Sequence, residues 1–190
     1  MNKFSMKDGF IKVVLGWIIV FLLRLIPFRP PNIEPVLATL MPFSKKYGIA
    51  SGFFFAFLSI ALFDIAVGQL GKWTFCTALI YGILGLTSGV YFRNRESNPI
   101  NYLKFSLAGT IIYDAISGPG VAYFLNDYSH IGYSFQQALI GQIPFTVLHL
   151  LGNGAMALVV SPIIYRWVVS NPNLETNVII CKFAFLGRCN

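Results

Sequence analysis

The chain has 190 residues, of which 56% are hydrophobic and 11% charged, and its formal net charge is +7. An ordinary soluble domain is about 25% charged, so this composition excludes a soluble globular protein. The hydrophobic residues form blocks of about 15 to 25 residues, long enough to cross a bilayer core as helices. Because the basic residues are spread over short loops, nucleic-acid binding is a poor interpretation. The composition predicts an all-α, polytopic membrane protein.

The first three hydrophobic blocks differ in length and in how they end. The first predicts a helix over residues 10–26, retained because no small-residue cleavage site follows it. The proline-rich loop PFRPPNIEP closes this helix, since proline cannot continue a regular helix. Residues 36–43 are hydrophobic but few, so this second segment either extends back through the loop or is a partly inserted helix. The third block covers residues 47–67.

Three further hydrophobic blocks follow in the rest of the chain. The fourth, over residues 73–92, follows the third after the short connection GQLGK, so the two should form an antiparallel helical hairpin. The fifth covers residues 101–117, and an aromatic- and glycine-rich connection follows it. The last stretch, residues 135–169, contains Pro144 and predicts one kinked helix or a short helix before a full span. The blocks together predict six helices.

The basic residues predict how the six helices are oriented. Lys and Arg are enriched in cytoplasmic loops of membrane proteins. If both termini are cytoplasmic, only Arg24, Arg29 and Lys72 fall on the outer side, and all the other basic residues fall inside. We therefore expect a bundle of six transmembrane helices over residues 1–168, forming a single domain, and a short cytoplasmic tail over residues 169–190.

Polar and ionisable side chains are predicted to gather at the outer ends of the helices. An ionisable group at a helix centre costs roughly 2.5 to 3.5 kcal/mol, so such groups are functional candidates. A pocket open to the outside would hold its substrate with these residues: Arg24, Arg29, Asn32, Glu34, Asp64, Lys72, Trp73, Asp114, Asn126, Tyr128, His130 and Gln142. The competing interpretation is that Arg24 pairs with Asp64, that carboxylates cap helix ends, and that the aromatic residues form an interfacial belt.

His149 and Asn153 are four residues apart and therefore lie on one helical face, in the middle of the predicted membrane. This pair is either a hydrogen-bonded contact between helices or part of the floor of a ligand pocket. We include His149 among the substrate-binding candidates. The sequence has no metal-ligand spacing and no phosphate-binding loop, so we expect no metal, no cofactor and no ATP hydrolysis by this chain.

Small residues recur at helical spacing in the predicted cytoplasmic half. Gly48 and Gly52 are four residues apart with Ser51 between them, and Gly85 and Gly89 repeat the spacing. Such patterns let helices approach closely. They indicate either internal packing of the bundle or a docking face for a separate membrane subunit, formed by Gly48, Ser51 and Gly52.

The layout resembles that of a known family. Six helices, the interrupted first loop, the G-x-x-x-G entry to the third helix, FDIAVGQLGKWT after it and YDAISGPG at the end of the fifth are similar to the S component, the substrate-binding membrane subunit, of energy-coupling factor (ECF) vitamin transporters. The likeness covers residues 10–168. It implies a non-catalytic, multi-pass subunit of an ABC importer in a prokaryotic plasma membrane.

The resemblance also implies partners and a substrate class. The partners are a transmembrane coupling subunit and ATPase subunits, and the substrate is a vitamin or a related heterocyclic micronutrient captured outside. The family's docking face commonly carries an Ala-x-x-x-Ala pattern on the first helix, which this sequence lacks. Gly48, Ser51 and Gly52 are therefore the alternative docking residues.

Two other functions remain open at this point. A small membrane enzyme acting on a lipid or peptide would use His149, Asp64 and Asp114 as acid or base. A structural or assembly subunit of a membrane complex would use its polar residues only as internal pairs.

Overall fold

The computed structural model of the protein describes residues 6–26, 33–120, 135–176 and 178. Within these residues the protein is all-helical, as the sequence predicts, and it contains six α-helices. They are α1 (Met6–Leu25), α2 (Pro35–Tyr47), α3 (Ile49–Ala66), α4 (Lys72–Phe92), α5 (Pro99–Ala115) and α6 (Phe135–Ile164). The π-helical turn Ile116–Gly120 extends α5, the π-helical turn Tyr165–Val169 extends α6, and the 3₁₀ turn Pro172–Leu174 comes last.

Three helical segments of the described chain are long and apolar enough to cross a membrane. They are Ile49–Ala66, Lys72–Phe92 and Gln136–Val169. Helix α2 has 13 residues and α5 has 17, and α1 carries charges that include Lys12 and Arg24. Crossing of the bilayer by α1, α2 and α5, and the cytoplasmic position of both termini, stay predictions.

The short second helix lies in the centre of the fold. Residues 35–44 are all buried, and α2 packs against α3, α4 and α6. The Glu34 carboxylate accepts a hydrogen bond from the backbone N–H of Val36 at 3.4 Å. Pro35 occupies the first helical position, where a missing N–H has no consequence. The second segment is thus a short separate helix and not an extension back through the proline-rich loop.

Helices α3 and α4 form the closely packed hairpin expected from their short connection. A Cβ atom added to Gly52 or Gly85 would overlap the backbone of the other residue. Gly89 packs in the same way against the backbone of Ile49, so residue numbers rise on one helix as they fall on the other. The helices are therefore antiparallel, and Gly52 contributes to internal packing, the first of the two interpretations of the small-residue pattern.

Helices α5 and α6 meet along a row of buried polar side chains, here called the α5–α6 polar row. Ser106, Thr110 and Asp114 are buried on one face of α5, four residues apart. Asn153 of α6 donates its side-chain N–H to Thr110 Oγ1 at 2.9 Å, and its backbone carbonyl accepts from Ser106 Oγ at 3.1 Å. His149 contacts Asp114 one turn further along. Because buried polar groups need partners, these contacts fix the register of the two helices.

Helix α6 is continuous over Phe135–Ile164 although Pro144 lies inside it. The interpretation as one long helix is therefore right, and the short-helix alternative is wrong. Helix α1 contacts the C-terminal end of the α6 segment, where the Lys12 ammonium donates a hydrogen bond to the backbone carbonyl of Val169 at 3.2 Å. A cation at this position satisfies a carbonyl that has no partner within the helix. The predicted tail over residues 169–190 lies partly outside the described residues.

Candidate functional site

A cavity of about 320 Å³ lies between the N-terminal end of α2 and helices α4, α5 and α6. This volume falls in the range of small-molecule sites, about 300 to 1,000 Å³. Aromatic residues and residues with polar side chains both contribute to its wall. The lining consists of Ile33, Glu34, Trp73, Tyr81, Tyr113, Ser117, Gly118, Gln142, Phe145 and His149. The cavity is therefore suited to an organic molecule with an apolar face and polar edges.

The aromatic part of the wall is an ordered set of rings. The centroids of Tyr81 and Tyr113 are 4.5 Å apart, with an interplanar angle of 35°. The His149 imidazole stands edge-on to Tyr113, at 84° and 5.8 Å, and to Phe145, at 76° and 6.3 Å. Trp73, near the start of α4, and Phe145 on α6 are 46% and 48% exposed, so both lie at the edge of the cavity. Such ring faces favour a planar aromatic ligand.

His149 and Asp114 form a buried polar pair beside these rings. Their Nδ1 and Oδ1 atoms are 2.8 Å apart, and the residues are 4% and 1% exposed. In the part of the chain that the structure describes, His149 Nε2 and Asp114 Oδ2 have no hydrogen-bond partner. A buried polar atom without a partner costs about 1–3 kcal/mol. His149 itself is part of the cavity lining.

Glu34 connects the cavity to the first helix. Its Oε1 lies 3.6 Å from Nε of Arg24, whose guanidinium stacks on the Phe63 ring at 4.1 Å from the centroid. The backbone N–H of Glu34 donates to Asn153 Oδ1 at 3.1 Å, which joins it to the α5–α6 polar row. Among the described residues, the carboxylate partner of Arg24 is Glu34, so the alternative that Arg24 pairs with Asp64 is not what the structure contains.

The predicted site residues fall into four groups. Four of them line the cavity: Glu34, Trp73, Gln142 and His149. Arg24 and Asp114 contact two of these, whereas Asp64 is half-buried away from the lining and Lys72 is exposed. The candidates Arg29, Asn32, Asn126, Tyr128 and His130 lie outside the described residues. Substrate binding by any of them stays a prediction.

Sequence reasoning missed Tyr81, Tyr113 and Phe145, because aromatic residues inside apolar helices look like ordinary packing residues. One usable signal was present in α6. Gln142, Phe145 and His149 are three and four residues apart, which is the spacing of one helical face. Gly118, in the YDAISGPG segment, lets the Gln142 amide pack closely, since a Cβ there would overlap it.

The three predicted docking residues do not share one surface. Gly48 is exposed between α2 and α3 with a φ of +91°, a left-handed conformation that favours glycine. Gly52 is buried against Gly85. Ser51 lines a second, mainly apolar cavity of about 380 Å³ between α1 and α3. Docking of a partner at Gly48 and Ser51 stays a prediction.

The fold is that of a helical protein with apolar, membrane-type helices and a cavity of the size of small-molecule sites. Residues 11–117 match the family model described as the S component of the ECF-type riboflavin transporter. Because the match covers more than half of the chain, the protein belongs to this family and is a substrate-binding membrane subunit for vitamin uptake. This confirms the resemblance to ECF S components. No curated protein and no solved structure matches significantly.

The matched region contains part of the site and excludes the rest. Glu34, Trp73, Tyr81, Tyr113 and Asp114 lie within residues 11–117. The α6 residues that complete the cavity come after it. The family match gives the matched range, and the cavity itself is defined by the packing of the described helices.

Proposed function

We propose that this protein captures riboflavin, or a close flavin relative, in the cavity between α2, α4, α5 and α6. The observation that carries the proposal is the composition of that cavity: aromatic rings line it beside a buried polar pair with unpartnered atoms. Riboflavin combines a flat tricyclic ring, which suits aromatic faces, with an imide edge and a polyhydroxy chain, which suit polar groups. The family description names the same vitamin.

The proposed contacts follow from position in the cavity. Tyr81, Tyr113 and Phe145 pack against the ring, and His149 and Glu34 form hydrogen bonds with its polar groups. Asp114 and Arg24 orient these last two residues through contacts of 2.8 and 3.6 Å. The other substrate contacts that the sequence predicts belong to the proposal as well: Arg29, Asn32, Asp64, Lys72, Trp73, Asn126, Tyr128, His130 and Gln142.

The protein acts, in this proposal, as the capturing subunit of an importer driven by ATP. The cavity lies near the C-terminal ends of α1 and α5 and the N-terminal ends of α2, α4 and α6. In the topology predicted from the Lys and Arg residues, that end of the six-helix bundle is extracellular. A transmembrane coupling subunit and ATPase subunits complete the transporter in a prokaryotic plasma membrane, and docking involves Gly48 and Ser51.

Flavin fluorescence gives a direct test of substrate binding. The full chain, purified in detergent and exchanged free of ligand, is titrated with riboflavin while quenching of flavin emission is followed. We expect saturable one-to-one binding, and we expect Tyr113→Leu to weaken it by about tenfold through loss of an aromatic face. Ser161→Ala is the matched control, since Ser161 Oγ donates to Ala38 O at 2.7 Å, outside the cavity lining. A folded protein that binds no riboflavin would contradict the proposal.

The membrane-enzyme alternative has one observation in its favour, the buried contact between His149 and Asp114. In many enzymes a carboxylate orients a histidine that acts as the general base. Riboflavin recovered after long incubation is analysed by mass spectrometry. We expect it to be chemically unchanged. Recovery of a converted product that depends on His149 would favour the enzyme.

A further inference from the structure

We infer that Asp114 holds His149 in the tautomer whose Nε2 accepts a hydrogen bond, so that this end of the cavity selects a planar ring with an N–H donor on its edge. The inference rests on the proposed function and deepens it. It makes His149 a specificity-determining contact and Asp114 a positioning residue.

The tautomer follows from assigning Asp114 as the acceptor of the pair, which is part of the inference. His149 Nδ1 lies 2.8 Å from Asp114 Oδ1 and, in this assignment, donates its hydrogen to that oxygen. The other ring nitrogen, Nε2, then carries no hydrogen and is an acceptor. The pair is buried between two helices whose register is held one turn away by the contact of Asn153 with Thr110. The imidazole is therefore oriented before any ligand arrives.

The unpartnered nitrogen belongs to a residue that lines the cavity. His149 is part of the lining, and its Nε2 atom is buried without a partner among the described residues. The rings of Tyr113 and Phe145 stand edge-on to the imidazole, so they limit its rotation. In the inference, a ligand that fills the cavity packs against the imidazole and donates a hydrogen bond to Nε2.

A ring N–H fits this position better than a hydroxyl of a flexible chain. Tyr81, Tyr113 and Phe145 line the same cavity as His149, and a flat ring against their faces directs its edge toward the imidazole. The exposed Trp73 at the rim leaves the opposite end of the ligand near solvent, where hydroxyl groups are readily hydrated. The oxidised flavin ring has a single N–H, at N3 between two carbonyl groups. That N–H is the donor that the geometry favours.

The test compares riboflavin with 3-methylriboflavin, in which a methyl group replaces the N3 hydrogen. Both are titrated against the full-length protein in the same detergent. For the native chain we expect the methylated flavin to bind at least about tenfold more weakly, because Nε2 then stays unpaired. In His149→Phe, which keeps a ring between the aromatic neighbours, the two flavins should bind within about threefold of each other.

Asp114→Asn tests the positioning role separately. An asparagine can either accept from or donate to Nδ1, so the tautomer is no longer fixed. We expect the ratio of the two affinities to fall in this variant, whereas Ser161→Ala, which removes a buried hydrogen bond between α6 and α2, keeps the native ratio. A change in overall stability alone does not alter this ratio.

The outcomes separate this inference from the function on which it rests. If riboflavin and 3-methylriboflavin bind the native chain equally, the inference is overturned and the proposed function stands. If the native chain discriminates but Asp114→Asn keeps the full ratio, the positioning role is overturned. If neither flavin binds a folded chain, the proposed function itself fails. If His149→Phe does not fold, the ratio of the riboflavin and 3-methylriboflavin affinities of the native chain decides whether the cavity recognises the N3 hydrogen.

Discussion

Gly52 on α3 and Gly85 on α4 lie so close that neither position has room for a Cβ atom, since it would overlap the other residue's backbone. The contact sets the distance between the two helices of the hairpin. One turn along α4, the hydroxyl of Ser88 is hydrogen-bonded to the hydroxyl of Ser44 on the central helix α2, at 2.7 Å. The close approach of α3 and α4 therefore also affects how the C-terminal half of α2 packs against them.

Substitution of Gly85 by alanine should destabilise the fold. The added methyl group forces α3 and α4 apart, and overpacking of this kind typically costs about 1–3 kcal/mol. Thermal unfolding in detergent, followed by tryptophan fluorescence, measures the effect. Gly141→Ala is the matched control, because a Cβ on that helical glycine meets open space, and its melting temperature should stay the same or rise. Equal melting temperatures for the two variants would show that the close contact is unimportant.

Replacement of Lys12 by methionine should loosen the end of α6. The Lys12 ammonium donates to the carbonyl of Val169 and lies 3.9 Å from a carboxylate oxygen of Glu175. A hydrogen bond from a charged group contributes about 1.5–3 kcal/mol, so Lys12→Met should expose the segment after Val169 to limited proteolysis. Lys104→Met removes an exposed cation from α5 and serves as the control. Unchanged cleavage kinetics in Lys12→Met would contradict the prediction.

Replacement of Asn153 by leucine should affect both stability and binding. The Asn153 side chain joins Thr110 to the backbone N–H of Glu34, and its loss removes the hydrogen bonds of one buried and one partly buried polar group. We expect about 2–3 kcal/mol of destabilisation and weaker riboflavin binding, because Glu34 is no longer held at the cavity. A double-mutant cycle with Thr110→Val checks the contact. Additive effects in that cycle would show that the two side chains act independently.

The Arg24–Glu34 pair should matter for affinity and not for stability alone. Arg24→Met leaves the Glu34 carboxylate without its cation, and we expect riboflavin affinity to fall by about five- to tenfold. The double variant with Glu34→Gln should lose less than the two single variants combined, because no unpaired charge remains. Glu96→Gln, which removes an exposed carboxylate after α4 and away from the cavity lining, should change affinity by less than about twofold. An equal loss of affinity in Glu96→Gln and Arg24→Met would show that the Arg24–Glu34 pair has no specific role.

The helices could be read from the sequence because their signals are local. Runs of apolar residues and their proline and glycine boundaries lie within a few turns of each other, and the six helices follow these runs. The second helix was ambiguous for a physical reason: residues 36–43 are too few to span a bilayer, and composition does not tell whether lipid or protein surrounds them. Only the packed structure shows that protein does.

By itself, the sequence determined the all-helical membrane class, the family layout and several of the polar residues at the site. The tertiary structure decided which of those residues meet. Asp114 and His149 are 35 positions apart, and Glu34 and Asn153 are 119 apart. Contacts at such separations depend on how helices pack, and a helix of uniformly apolar composition does not indicate in its sequence which face turns toward which neighbour. The cavity, its aromatic wall and the unpartnered His149 nitrogen exist only once those faces have met.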